Sequence, residues 1–341
     1  MVNSSPLGLF SDTPFYSAHF MDIALWEPYV RQVCKQHGFE GKRVFPGLAG
    51  TFPTFIVEVD AEAVRQYSGF IVVKFFGPLF DGADSFHIEQ SMGSFLAQQS
   101  FPVCSPTILA NGQLTPDWCY LIFEHIPGVN IGQVRQQLSA DAWAGVAQQM
   151  GIYMKKLHTA TALTMPVMLK PSTVMGWDGF VGFLEDQHAQ CYTSHLGWQD
   201  LPTHLLEQVQ DFILPAGQLI DLSSPPHLIH ADLTSDHLLG RLAPTTTTDW
   251  HTLAIIDWGD TRVGNILYEL VALHMDLFQT DKHLLRTCLE AYGLPDFYWQ
   301  DFSRKALSMV LLHQFPMPAS VYAPHRDARS LQELAECLFG I

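Results

Sequence analysis

The chain has 341 residues, is 48% hydrophobic and 15% charged, and carries 34 acidic against 18 basic side chains, a formal net charge of −16. That length can bury a large core and suits two lobes, and the composition excludes a disordered chain. The negative field argues against nucleic acid and anionic membranes as partners and favours cationic ligands; solubility alone is an equally open reading.

The six cysteines, at 34, 104, 119, 191, 288 and 337, form no C-x-x-C pair, as in a reduced cytosolic chain rather than a disulfide scaffold. Residues 1–20 lack the basic and apolar regions of a signal peptide. No apolar run reaches the roughly 18–20 residues that span a bilayer. The expected location is therefore the cytoplasm.

Residues 1–20 read as an irregular, Pro-containing lead-in. From Asp22 to Gln36, Ile23, Trp26, Val30 and Val33 recur at helical spacing, and Gly38 stops the run. Val44 to Val59 reads as a loop followed by a strand. Gly47 and Gly50, with Thr51, can bring bare backbone close to a phosphate; an ordinary tight hairpin is the competing reading. Phe70–Phe76 is an apolar strand interrupted by a lone Lys74, which needs a partner if buried. Asp84 or Ser85 is the expected cap of the next helix, whose apolar face holds Ile88, Met92, Phe95 and Leu96, with Glu89 at its edge. Val103–Leu109 and Trp118–Phe123 read as strands joined through Asn111-Gly112. Glu124-His125-Ile126-Pro127-Gly128 follows as a connector. Ser139 caps a helix with an apolar stripe of Trp143, Val146, Ala147, Met150, Met154 and Leu157. Residues 160–226 are helical in parts and carry Trp177, Phe180, Phe183 and Trp198; Asp178, Glu185, Asp186 and His188 are either ligand contacts or a solvated face.

The chemistry concentrates in two segments. The first is His230-Ala231-Asp232-Leu233-Thr234-Ser235-Asp236-His237, with Leu228-Ile229 before it and Leu238-Leu239 after. The second is Ile255-Ile256-Asp257-Trp258-Gly259-Asp260. The polar stretch Pro244–Asp249 between them reads as a hairpin loop. Folding Leu238–Leu242 onto Leu253–Ile256 would bring His237 and Asp257 together, with Asp232 one turn away. A carboxylate base beside a two-ligand metal site is what phosphoryl transfer asks of a protein. Tyr268–Leu273 begins a further helix, and residues 281–341 read as helices broken at Pro316–Pro324.

This two-part pattern resembles the aminoglycoside phosphotransferase and choline-kinase-like family of small-molecule kinases. The resemblance covers roughly residues 40–275 and rests on His230, Asp232, His237 and Asp257. It implies an α+β, two-lobed protein-kinase-like fold: a small antiparallel-sheet N-lobe over residues 1–124 and a larger, mainly helical C-lobe over 125–341. It implies Asp232 as catalytic base with His230 bracing its loop. Lys74, paired with Glu89, would hold the nucleotide phosphates under the loop of Gly47, Gly50 and Thr51. Main chain at Glu124 and Ile126 would meet the purine. His237 and Asp257 would hold Mg²⁺, with ATP or GTP as co-substrate. Most members carry Asn where this chain has His237, and the usual Gly-Asp-Pro is Gly264-Asn265 here.

The expected activity is transfer of a γ-phosphoryl group to a small-molecule hydroxyl. The net charge suits an aminoglycoside antibiotic, the aromatic residues and His237 a macrolide, and a primary-metabolite alcohol stays open. Three rivals compete: a kinase-like pseudoenzyme, a protein kinase, and a His-x-Asp iron oxygenase. The second lacks its Ala-Pro-Glu segment here. The third would require a barrel of many short strands.

Overall fold

The computed structural model describes residues 6–48, 50–60, 69–161, 177–243 and 248–341. They divide into two compact units, residues 1–129 with 253–260, and residues 130–252 with 261–341. A single cut after Glu124 differs from this in two ways. The chain changes unit at Val129, and a short later segment returns to the first. The return has a physical cause: Ile255 N–H donates to the Cys104 carbonyl at 2.9 Å, and Asp257 reaches Lys74.

The first unit opens with a 3-10 turn (Pro6–Ser11) and helices α1 (Thr13–His19) and α2 (Ile23–Gln36). The expected irregular lead-in is thus helical. Asp12 and Asp22 cap the two helices through their carboxylates, and Leu7, Phe10 and Tyr16 are buried. Short helices of this kind owe their stability to tertiary packing, which local patterning does not display. Gly38, at φ +77°, ends α2 as expected.

Five antiparallel strands follow: β1 (Gly41–Pro46), β2 (Thr54–Val59), β3 (Phe70–Phe76), β4 (Ile108–Thr115) and β5 (Trp118–Glu124), in the order β1-β2-β3-β5-β4. Strand alternation sorts the side chains. Ile71, Val73 and Phe75 pack with Trp26, Val30 and Val33 of α2. Lys74 and Phe76 face the other way, where Phe52, Phe86, Leu121 and Phe123 gather. Helix α3 (Gly82–Leu96) lies on that side. It begins earlier than expected, after left-handed Asp81, with no side-chain cap and Ser85 already buried. The β4–β5 turn falls at Pro116-Asp117, not at Asn111-Gly112. Gly112 sits inside β4, where a Cβ would collide with the Tyr120 hydroxyl. The glycine serves a close cross-strand approach rather than a turn.

The second unit is mainly helical. Its elements are β6 (Val129–Asn130), where the chain enters it, α4 (Ile131–Val134), α5 (Ala140–Thr161), α6 (Trp177–Trp198), and the short helices α7 (Thr203–Leu206), α8 (Val209–Phe212) and α9 (Ala216–Leu219). Ser139 Oγ caps α5 at Ala142 N–H, 3.1 Å, and Val146, Ala147, Met150, Met154 and Leu157 are buried as patterned. Strands β7 (His227–Ile229), β8 (Leu238–Leu242), β9 (Trp250–Ile255), which passes into the first unit at Leu253, and β10 (Arg262–Gly264) follow. Of the expected hairpin loop, 244–247 lie outside the described residues, as do 162–176 of the interval before β7. Strand β10 pairs antiparallel with β7. Then come α10 (Ile266–Ala272), a π-turn (Leu273–Leu277), α11 (Lys282–Tyr292), α12 (Asp296–Trp299), α13 (Phe302–Leu311), α14 (Ala319–Tyr322) and α15 (Leu331–Phe339). Helix α10 starts two residues before Tyr268, capped by Asn265. Among the described residues no helix is long and apolar enough to cross a membrane.

Candidate active-site residues

In the first unit, the register Thr54↔Lys74 and Lys74↔Leu121 fixes Lys74 in mid-sheet. Its Nζ lies 2.8 Å from Glu89 Oε2 and 2.6 Å from Asp257 Oδ1. It also lies 5.7 and 5.2 Å from the ring centres of Phe52 and Phe76. Lys74 and Glu89 are both buried. Burial alone would lower the ammonium's pKa; the carboxylates of Asp257 and Glu89 outweigh it and leave the pKa raised. For Glu89, burial dominates over Lys74 and pushes the carboxyl up to about 7. Asp257 stands at φ +63°, a left-handed conformation uncommon outside glycine, in the turn after β9.

The glycine loop between β1 and β2 belongs to the same unit. Gly47 N–H donates to the Thr54 carbonyl at 2.8 Å, and a Cβ there would meet that oxygen at 2.7 Å. Gly50 has open space on its Cβ side. The Thr51 carbonyl accepts from the Tyr16 hydroxyl of α1 at 2.7 Å. At the connector, Glu124 is committed to Thr107. Its N–H donates to the Thr107 carbonyl at 2.9 Å, and its Oε1 accepts from Thr107 N–H and Oγ1 at 2.8 and 2.7 Å. Ile126 is half-buried.

In the second unit, β7 ends at Ile229 and His230 begins a tight loop. His230 is buried, its Nδ1 accepting from Asp232 N–H at 3.3 Å. Ala231 is left-handed, φ +70°, and its N–H donates to Glu269 Oε2 of α10 at 3.0 Å. Thr234 N–H closes back on the Asp232 carbonyl at 2.9 Å. His237 Nδ1 donates to that same carbonyl at 2.6 Å, which leaves the imidazole lone pair on Nε2. Ser235 N–H donates to Asp276 Oδ1 at 2.6 Å, and Asn130 Nδ2 donates to Asp236 Oδ1 at 2.9 Å. The Asp232 side chain emerges 41% exposed from this scaffold, and His237 is 13% exposed.

Glu269, Asp276 and Asn130 are the residues that sequence reasoning missed. For Glu269 a signal existed. It is a lone carboxylate within Ile266–Val271, an apolar run that a surface helix does not carry unbroken. Burial pushes its carboxyl up to about 7, against the opposing backbone N–H groups of Ala231 and His230.

Mg²⁺ sites use one or two carboxylates completed by water and phosphate rather than an all-protein cage. Asp257 offers a partly exposed carboxylate and His237 an Nε2 lone pair. Among the described residues no three His, Cys, Asp or Glu side chains are clustered as a cage.

A model of the phosphotransferase enzyme family matches residues 53–303, more than half of the chain. The chain belongs to that family. Its fold is the kinase-like α+β fold of aminoglycoside phosphotransferases. The GDP complex of wild-type aminoglycoside 2'-phosphotransferase-IIIa is similar with a TM-score of 0.63 and 20% identity, covering 92% of this chain and 96% of that one. Aminoglycoside phosphotransferase APH(4)-Ia matches at 0.53 and 18%, covering 91% and 95%. Lysine-specific demethylase JMJ21 of Arabidopsis thaliana is 26% identical over 206 residues, which is 52% of this chain. The matched stretch spans 22% of that relative's length. A five-stranded antiparallel sheet and a helical second unit are not the many-stranded barrel that the iron-oxygenase reading required.

Proposed function

We propose that this phosphotransferase moves the γ-phosphoryl group of ATP or GTP to a hydroxyl of a small molecule, bound by the second unit among α6, α10 and the helices after it. The observation that carries the reading is the pair of carboxylates on Lys74, because an ammonium so placed is built to exchange one anionic oxygen for another. Lys74 gives up Asp257 for a phosphate oxygen and keeps Glu89. Asp257 and His237 would hold Mg²⁺, which neutralises charge on the phosphates. Asp232 orients the acceptor hydroxyl and takes its proton as that oxygen bonds to phosphorus. The bond to the bridging oxygen breaks, and the nucleoside diphosphate leaves. Glu269 and His230 keep the Asp232 backbone in place throughout.

Family membership and fold support phosphoryl transfer. Solved relatives are complexes with kanamycin and GDP, and with streptomycin and ATP, so hydroxylated antibiotics belong among the acceptors tested. The test is a mass-shift and phosphate-release screen of aminoglycosides, macrolides, sugars and sugar acids with ATP and GTP. A gain of one phosphoryl group on a small acceptor, abolished in Asp232→Asn, is the expected result. Phosphorylation confined to proteins, or nucleotide binding without any turnover, would overturn it.

A further inference from the structure

Arg262 of β10 is a half-buried guanidinium with no carboxylate partner among the described residues. Its Cζ lies 5.5 Å from the ring centres of both Phe183 on α6 and Tyr268 on α10. Its only hydrogen bond among the described residues is a long one, Nη1 to the Tyr268 hydroxyl at 3.5 Å. The Nε–H is buried without an acceptor, and so is Nε2 of His313, whose ring stacks on Tyr268 at 4.8 Å.

Two facts make this more than a packed arginine. Cation–π contact on two aromatic faces replaces only part of the guanidinium's lost hydration, and the buried Nε–H donor keeps its full desolvation cost until an acceptor arrives. The guanidinium fork matches carboxylate or phosphate oxygens in two-point contact. His313, held neutral by burial and then by the charge of Arg262, at a pKa of about 4, brings a second polar nitrogen to the same place without adding charge.

The cluster also shares its supports with the catalytic loop. Arg262 pairs across the ladder with Ile229, the residue before His230. Tyr268 precedes Glu269, which holds Ala231.

We infer that Arg262, His313 and Tyr268 form an oxyanion subsite for the acceptor, so the acceptor carries a carboxylate or phosphate in addition to its reactive hydroxyl. This rests on the phosphotransfer reading above. It narrows that reading away from purely cationic aminoglycosides, which the chain's net charge alone would favour.

The Arg262 Nε–H signal in the NMR spectrum of the full chain, identified by its loss in Arg262→Gln, tests it. D-gluconate and inorganic phosphate should move the signal saturably, and uncharged D-sorbitol should not. Arg262→Lys keeps the charge but loses the fork, and should weaken gluconate binding by about tenfold, read by calorimetry. His313→Phe keeps the stack and should weaken it by less. An Nε–H signal that fails to saturate with either anion removes the subsite. Movement with a non-hydrolysable ATP analogue alone assigns the guanidinium to nucleotide phosphates and overturns the acceptor role. Failure of the phosphotransfer reading looks different: the signal responds to gluconate, yet the chain shows no Asp232-dependent nucleotide turnover.

Discussion

The two groups of site residues are held by different forces. Around Lys74 the holding force is charge: one buried ammonium between two carboxylates. Around Asp232 it is backbone geometry, with main-chain N–H groups of Ala231 and Ser235 fixed by Glu269 and Asp276 and a histidine fixed to the Asp232 carbonyl. A charge cluster is reconfigured by any incoming anion. A loop pinned through its amides keeps its shape whatever binds. Under the proposed function, the first arrangement suits a group that changes partners, and the second suits a base that is already in position.

The difference can be broken from either side. The largest effect belongs to Asp232→Asn, which keeps the side chain's size and removes the proposed proton acceptor. Its kcat should fall by about 10²–10⁴ with nucleotide affinity unchanged by calorimetry; weakened nucleotide binding would place Asp232 in the wrong role. Next is Lys74→Met. Loss of a charge-assisted contact worth about 1.5–3 kcal/mol should raise the nucleotide KM roughly 10- to 100-fold. Glu89, whose carboxyl burial already pushes up to about 7 against the opposing Lys74, loses that cation, and protonating it should make the variant's melting temperature rise as pH is lowered. An unaltered KM would leave Lys74 a purely structural residue.

The pairing of Lys74 with Glu89 was open to sequence reading only through the family resemblance, which implies a strand lysine held by a helix glutamate; strand and helix spacing placed the two residues but did not pair them. The backbone scaffold was not legible. The N–H groups that hold Asp232 carry no residue signature, and their acceptors at 269 and 276 lie more than thirty positions downstream. The cap of α3 and the β4–β5 turn were misplaced for a related reason. Asp81 starts the helix in a left-handed conformation without a side-chain cap, and Gly112 answers to the cross-strand Tyr120 rather than to a turn; neither use is distinguishable from a cap or turn signal in the local residues.

A third experiment sharpens the contrast through pH. Glu269 has its carboxyl raised to about 7 in the folded chain, above its unfolded value near 4.5. The folded state therefore holds the proton more tightly, and stability is lost as pH rises from about 4.5 to 7. Glu269→Gln keeps an oxygen for Ala231 N–H and has no proton to lose. Above pH 7 its melting temperature should exceed the wild type's, by at most about 3 kcal/mol of stability, and the gap should close towards pH 5. A gap independent of pH would mean that Glu269 is not protonated in the fold. The smallest effect should come from His237→Asn. The amide supplies a hard oxygen in place of the imidazole nitrogen, so kcat should stay within about tenfold. An inactive, folded variant would give the imidazole a specific task.

The contact between Lys74 and Asp257 spans 183 residues of chain. On a ribosome elongating at about 5–20 residues per second, Lys74 and Glu89 emerge on the order of ten to forty seconds before their third partner. Until then the first unit also lacks Leu253–Asp260, which belong to it. During synthesis the ammonium is thus shared with one carboxylate only, and the first unit, whose five strands all precede residue 125, waits for a segment made much later. Slowing translation between codons 130 and 252 would prolong that open state, and with it the time in which a chaperone or a protease can act on the unfinished unit.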